Sequence, residues 1–315
     1  MSESFLLEVD FAPAHECATS LQAYLRKANH KALESGAGWI KEMNLLLPPE
    51  VRARLGNHPE IENFDFQLFV SCCPGPRTPE AFIGWLRSLN PGELYERMAS
   101  TGEAVPPNLG ELRDAAADAL EDWNTYCFSQ VKPEILDGLN REAERVRQLI
   151  SRLPADELYE QLTNGMALHP KEAGQRVLLI PQHHMRPYNN SSFYPNLAIT
   201  SYPCDAVLSE ADFPPPLLSR MTRALSDDSR LRILHYLRNN PEASFSEIVK
   251  HIGISKSTIH YHLVLLRAAG FVKVHVYPRS TQYSLRPSGI TALTSQLSSY
   301  LQLQQDTEDR LEEKG

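Results

Sequence analysis

The sequence lacks the features that mark several broad classes of protein. Only five of its 315 residues are cysteines, an odd number spread widely, which excludes the disulfide framework of a small secreted domain. It holds no apolar run of about 18 residues, so we expect no membrane span. The first residues show no signal-peptide pattern. We therefore expect a soluble protein of the reducing cytoplasm.

The sequence also lacks the short motifs of common catalytic and nucleotide-binding sites. It contains no G-x-S-x-G, no H-E-x-x-H, no P-loop and no G-x-G-x-x-G. We therefore predict no catalytic residues, no cofactor and no enzymatic activity.

What the sequence does have is an uneven distribution of charge. The chain carries a net charge of -8, but residues 217–303 hold eleven basic and four acidic side chains, a net of +7. Residues 1–216 carry −12 and the last twelve residues −3. The charge of the whole chain argues against a nucleic-acid partner. The local charge is typical of a nucleic-acid-binding module joined to an acidic one.

Hydrophobic periodicity predicts a helical first domain over residues 1–213. The predicted helices cover residues 16–34, 36–47, 79–88, 91–99, 109–130, 134–151 and 155–163. Runs of branched residues then predict strands at 166–169, 177–180 and 197–200, which we expect to form a small antiparallel sheet near 165–203. The long polar loop between the last two strands carries His183 and His184.

The second domain, predicted over residues 214–303, follows a triple proline and has shorter elements. Its predicted helices cover residues 217–225, 229–239, 245–251, 256–269 and 288–303, and a β-hairpin covers 271–277 and 281–285. The third and fourth helices are joined by Ile252–Ser255, which makes a helix-turn-helix with the hairpin as its wing. Residues 304–315 form a charged tail. The fold class is thus mainly α with small β.

Three segments resemble the ArsR-type winged helix-turn-helix transcription regulators. They are RALSDDSRLRILHYL (223–237), SFSEIVKHIGISKSTIHYHLVLLRAAGFVKV (244–274) and YSLRPSG (283–289). The resemblance covers about 85 residues and includes helices, turn and wing in order. It implies a bacterial regulator, commonly a homodimer and a repressor, that binds palindromic operator DNA.

The fourth helix of this domain has polar side chains away from its apolar stripe of Ile259, Leu263 and Leu266. Such side chains suit the major groove, where base edges present hydrogen-bonding groups. We predict ten DNA-contacting residues on this helix and the wing: Ser255, Lys256, Ser257, Thr258, His260, Tyr261, His262, Arg267, Lys273 and Arg279. We include His262 among them because it matches the histidine that precedes leucine in the family pattern.

The metal sites familiar in this family are absent from the matching helices. The third helix has no cysteine and the last has neither aspartate nor histidine, so we predict no metal site. A small-molecule effector would need another place, and we predict an aromatic pocket in the first domain, lined by Trp39, Trp85, Trp123, Tyr126 and Tyr188.

Three alternatives stay open. Cys72–Cys73, His183–His184 and Cys204 could serve a metal- or thiol-redox-responsive regulator. The first domain could also be an enzyme, or a scaffold for a protein partner, fused to a DNA-binding domain.

Overall fold

A computed structural model of the chain describes residues 5–99, 108–170, 174–205 and 213–302. The chain forms two compact units, one of residues 1–163 and 168–207 and the other of residues 164–167 and 208–315. The predicted tail, residues 304–315, lies outside the described residues. None of the described helices has the length and hydropathy that a bilayer crossing requires.

The first unit is mainly helical. Its elements are β1 (Phe5–Val9), α1 (Pro13–Leu25), α2 (Gly36–Leu46), α3 (Pro49–Gly56), α4 (Phe66–Cys72), α5 (Pro79–Ser88), α6 (Pro91–Ala99), α7 (Leu109–Tyr126), α8 (Pro133–Ile150), α9 (Ala155–Leu162), β3 (Gln175–Gln182), β4 (Asn190–Phe193) and β5 (Leu197–Pro203). Short 3₁₀ turns lie at Lys27–Asn29, Pro59–Asn63 and Phe128–Gln130. β2 (Met166–Leu168) belongs to the sheet of the second unit.

The sheet of the first unit has the order β1-β3-β5-β4. β3 runs parallel to both neighbours, with Val177 opposite Leu7 on β1 and Ala198 on β5. Helices α1, α8 and α9 pack against β1 or β3. Because a central parallel strand is covered on both faces, residues 177–182 are all buried.

The prediction of one antiparallel sheet is wrong in two respects. β3 and β5 are parallel, and the predicted strand near residue 166 belongs to the other sheet. Part of the supposed loop forms β4, which makes an antiparallel hairpin with β5, so β5 returns in the same direction as β3. β1 was not predicted. It can lie parallel to β3 because the chain between them, which contains α1 to α9, is long enough to return to the same end of the sheet. The segment Met166–Leu168 does form a strand, but in the other sheet. The mainly α fold class with small β is confirmed.

The second unit is a winged helix. It contains α10 (Pro216–Ala224), α11 (Asp228–Asn239), β6 (Ala243–Ser244), α12 (Phe245–Ile252), α13 (Lys256–Ala268), β7 (Val272–Tyr277), β8 (Ser280–Leu285) and α14 (Ser288–Tyr300). The sheet order is β2-β7-β8-β6. The core joins the inner faces of α10 to α13 and includes the fully buried Ile233, Ile259 and Phe271.

Four residues from the middle of the chain, 164–167, belong to this second unit rather than to the first domain as predicted. The N–H of Val274 on β7 donates to the carbonyl of Gly165 at 2.7 Å. Gly165 has a φ of 108° and its Cα lies so close to β7 that a Cβ would approach the Val272 carbonyl oxygen to 2.6 Å. Only glycine fits there without displacement. The chain therefore passes between the two units three times.

Candidate nucleic-acid interface

The turn between α12 and α13 is fixed at both ends by capping. Ser244 and Glu247 form a capping box at the start of α12, with the Ser244 N–H donating to the Glu247 carboxylate at 2.8 Å. The helix ends at Gly253, whose φ of 76° is left-handed. The hydroxyl of Ser255 then accepts the N–H of Thr258 at 3.2 Å and begins α13. These local contacts set where α13 starts.

One face of α13 presents polar side chains to solvent. Ile259, Leu263 and Leu266 are buried in the core of the unit, as predicted. On the outer side, four of the predicted residues are exposed and two are half-buried: Ser255, Lys256, Ser257 and His260, and Thr258 and Tyr261. This face has the hydrogen-bonding groups that readout of base edges needs.

His262 and Arg267 do not share this exposed face, although both were predicted to contact DNA. Each is only 6% exposed. The His262 Nε2 lies 4.0 Å from a carboxylate oxygen of Asp227, the residue whose side chain caps α11. At 3.6 residues per turn, positions 262 and 267 flank the stripe of Leu263 and Leu266, so they turn inward. Their place in the structure is inside the unit.

The wing is a tight hairpin with a basic tip. Tyr277 pairs with Ser280, so the connection is only Pro278 and Arg279. Arg279 is exposed, as a contact to a neighbouring groove or phosphate requires, whereas Lys273 on β7 is half-buried. The predicted wing residues therefore differ in how far they can reach.

The ten predicted DNA contacts do not include Lys250, a further basic residue beside the turn. Lys250 is exposed in the last turn of α12, directly before the turn that leads into α13. Its position in the most basic part of the chain could have predicted a contact with DNA.

The predicted aromatic pocket is largely core. Trp123 is 1% exposed, its Nε1–H donates to the Ser20 hydroxyl at 2.8 Å, and its ring lies 6.2 Å from that of Trp39. Trp85 packs instead against Phe82 at 6.1 Å. The first unit has a polar cavity lined by residues of α1, α4 and β4, and none of the five predicted residues lines it.

Tyr126 packs against the same helical core as Trp39, Trp85 and Trp123, whereas Tyr188 packs, together with Trp39, against Leu33 and Met185. Tyr126 is the last residue of α7 and is partly buried against the helical core. The Tyr188 hydroxyl donates to the carbonyl of Asn29 at 3.4 Å. The aromatic side chains therefore pack as part of the hydrophobic core, and their role in ligand binding stays a prediction.

The cysteines and the histidine pair show little of the chemistry of a metal or redox sensor. Within the part of the chain that the structure describes, no three His, Cys, Asp or Glu side chains form a group that could hold a metal ion. His184 Nδ1 lies 2.7 Å from the buried carboxylate of Glu16. Burial raises the pKa of both the Cys72 and Cys73 thiols, which disfavours the reactive thiolate.

Comparison with known proteins points to the second unit. Residues 227–274 match the family model described as "Bacterial regulatory protein, arsR family". No curated protein matches the chain. Among solved structures, an ArsR-like transcriptional regulator from Rhodococcus sp. RHA1 is 26% identical over 26% of this chain and 77% of its own, with a TM-score of 0.24. NolR from Sinorhizobium fredii is 26% identical over 26% of this chain and 82% of its own, with a TM-score of 0.22.

The matched residues run from the cap of α11 through α12 and α13 into β7, and so contain the turn and the exposed polar face of α13. The second unit thus carries the helix-turn-helix of the ArsR family of bacterial regulatory proteins, the DNA-binding part of a transcriptional regulator.

Proposed function

We propose that the protein is a homodimeric repressor that binds palindromic operator DNA and acts by binding rather than catalysis. The observation that carries the proposal is the exposed polar face at the start of α13, with Lys256 on it, in a segment of net charge +7. The first N–H groups of α13 can hold a phosphate, while its side chains meet base edges. Arg279 at the wing tip adds a cation for the flanking backbone.

The homodimer is supported by α14. Ile290, Leu297 and Leu301 are 52%, 41% and 52% exposed, and their spacing of seven and four residues places them on one side of the helix. Leu293, on the same side, packs partly against the core. Such an exposed apolar stripe is typical of a face that a partner covers. A second copy of the same stripe would cover it with the two-fold symmetry that a palindromic operator needs.

Control by a ligand in the first unit is supported by the path of the chain. Between α9 and β3 the backbone enters the sheet of the second unit at residues 164–167 and then returns. An effector that favours one arrangement of the first unit would change the position of a strand in the DNA-binding unit. The change in the free energy of DNA binding could be no larger than the difference between the effector's binding free energies for the two arrangements.

The test is a gel-retardation assay with DNA selected by the protein from a random library. Charge reversal of Lys256→Glu together with Arg279→Glu should abolish retardation while the circular dichroism spectrum stays unchanged. The control is Arg152→Glu, an exposed residue of the first unit, which should retain binding. If the double variant retarded the DNA as strongly as the wild type, the proposal would be wrong. For the repressor role, transcription from that DNA should fall when the protein is added.

A further inference from the structure

The first unit contains a polar cavity that the sequence did not predict. It has a volume of about 460 Å³, within the usual range for small-molecule sites. Its walls come from the end of α1, the turn at Pro59–Asn63, the start of α4 and the strand β4. The polar lining residues that matter here are Gln22, Arg26, Asn63, Asp65, Asn190 and Ser192.

Gln22 offers an acceptor at the cavity wall. The residue is only 2% exposed, and its side-chain amide N–H groups donate to the carbonyls of Glu62 at 3.2 Å and Phe64 at 3.0 Å. These bonds fix the amide plane. The side-chain oxygen accepts no hydrogen bond from the described residues. This oxygen can therefore accept a hydrogen bond from a donor that enters the cavity.

Arg26 offers a donor that is already held in place. Its Nε donates to the Glu62 carbonyl at 2.8 Å and its Nη1 to Asn190 Oδ1 at 3.0 Å. Burial lowers the pKa of Arg26, and the charges of Glu62 and Asp65 act in the opposite direction. Its Nη2 donates to no residue that the structure describes. Little side-chain entropy remains to be lost when a ligand binds there.

The lining also excludes some ligand classes. Arg26 and Asp65 carry opposite charges, so the lining has no net charge to attract an anion or a cation. The Ser192 hydroxyl donates to Asp65 at 3.3 Å. Amide, hydroxyl and carboxylate groups around one cavity supply donors and acceptors together, and each hydroxyl group of a ligand can use one of both. An apolar ligand would leave these groups unpaired.

We propose that this cavity binds a small uncharged polyhydroxylated molecule, such as a monosaccharide, a disaccharide or a sugar alcohol. Arg26 and Asn190 donate to its oxygens, and Gln22 and Asp65 accept from its hydroxyl groups. Naming this molecule as the effector rests on the proposed function, whereas binding itself does not.

The experiment uses the full chain and a panel of xylose, glucose, mannitol and sucrose, with citrate and lysine as charged comparators. Isothermal titration and thermal unfolding measure binding without DNA. At least one neutral compound should bind. At ten times its Kd it should raise the ratio of folded to unfolded protein about elevenfold.

The variant Asn63→Trp tests the location. Asn63 is an exposed residue of the lining whose side chain makes no hydrogen bond to the described residues, so tryptophan can fill the mouth without breaking a contact. Affinity should fall at least tenfold. The control is Leu45→Trp, 87% exposed and outside the lining, which should bind like the wild type.

Three results would overturn the proposal: no neutral compound binds, only the charged comparators bind, or Asn63→Trp binds as tightly as the wild type. The regulatory step is measured apart, by adding the bound sugar to the gel-retardation assay. Sugar binding with unchanged DNA affinity would remove the effector role and keep the site. Absence of DNA binding by the wild type would remove the proposed function and leave the sugar measurement intact.

Discussion

At the scale of single residues, Gly165 shows how one position can hold two parts of the chain together. Its φ of 108° and the 2.6 Å approach to the Val272 carbonyl oxygen leave no room for a side chain. Gly165→Ala should therefore destabilise the second unit by about 2–4 kcal/mol, since backbone strain and displacement of β7 add. Urea unfolding followed by circular dichroism measures this loss.

The matched control for that variant is Gly253→Ala. Gly253 also has a positive φ, 76°, but nothing lies within 4 Å of a Cβ there. It should cost only about 1 kcal/mol. All three tryptophans precede residue 164, so their fluorescence reports the first unit, whose unfolding should not change. If the two variants lost the same free energy of unfolding, the close approach of residue 165 to β7 would not contribute to stability.

His183 makes the stability of the first unit depend on pH. Burial lowers its pKa to about 2, and the charges of Arg186 and His184 add to the effect. The folded protein therefore keeps this imidazole neutral at a pH where the unfolded chain, with a pKa near 6.5, binds a proton. Stability should be full above pH 6.5 and fall as the pH decreases. The loss from this residue is about 1.4 kcal/mol at pH 5.5.

The measurement is urea unfolding followed by tryptophan fluorescence at pH 7.5 and 5.5. His183→Gln removes the titrating group, so its stability should fall less between the two pH values than that of the wild type. The difference between the proteins isolates His183 from the other ten histidines. Identical losses in both would contradict the neutral buried imidazole.

At the scale of elements, local signals in the sequence predicted where helices begin. Pro79 and Pro91 start their helices as expected, and Ser244 and Ser255 cap α12 and α13. These signals act within a few residues, so a single sequence contains them. Strand direction is different: whether β3 and β5 run parallel depends on β4, whose sequence, three polar residues followed by Phe193, gave no strand pattern. The cavity could not be predicted either, because its walls come from segments that lie more than a hundred residues apart in the sequence.

The helix α14 allows a prediction about assembly. If its exposed stripe covers a second copy, Leu297→Glu should place a charge in an apolar interface and dissociate the dimer. Multi-angle light scattering should then give the 35.5 kDa of one chain instead of twice that mass. Ser295→Glu, on the solvent side of the same helix, is the control and should stay dimeric. A monomeric wild type, or a dimeric Leu297→Glu, would contradict the proposed interface.

At the scale of the whole molecule, the separation of charge is the property that the sequence showed most directly. Segment charges need no structure, and they pointed to the unit that the family model matches. Which basic side chains are available to DNA could not be read in the same way. Arg267 counts toward the +7 but is buried, while Arg279 stands at an exposed turn.

This difference can be measured in the salt dependence of DNA binding. If about six phosphates are neutralised per dimer, the logarithm of affinity should fall with the logarithm of salt concentration with a slope near −5. Arg279→Ala removes one cation from each subunit, so the slope should become less steep by about two. Arg152→Ala, in the acidic first unit, should leave the slope unchanged. An unchanged slope for Arg279→Ala would mean that the wing tip does not reach the phosphate backbone, and the interface would then be confined to α13 and the residues beside it.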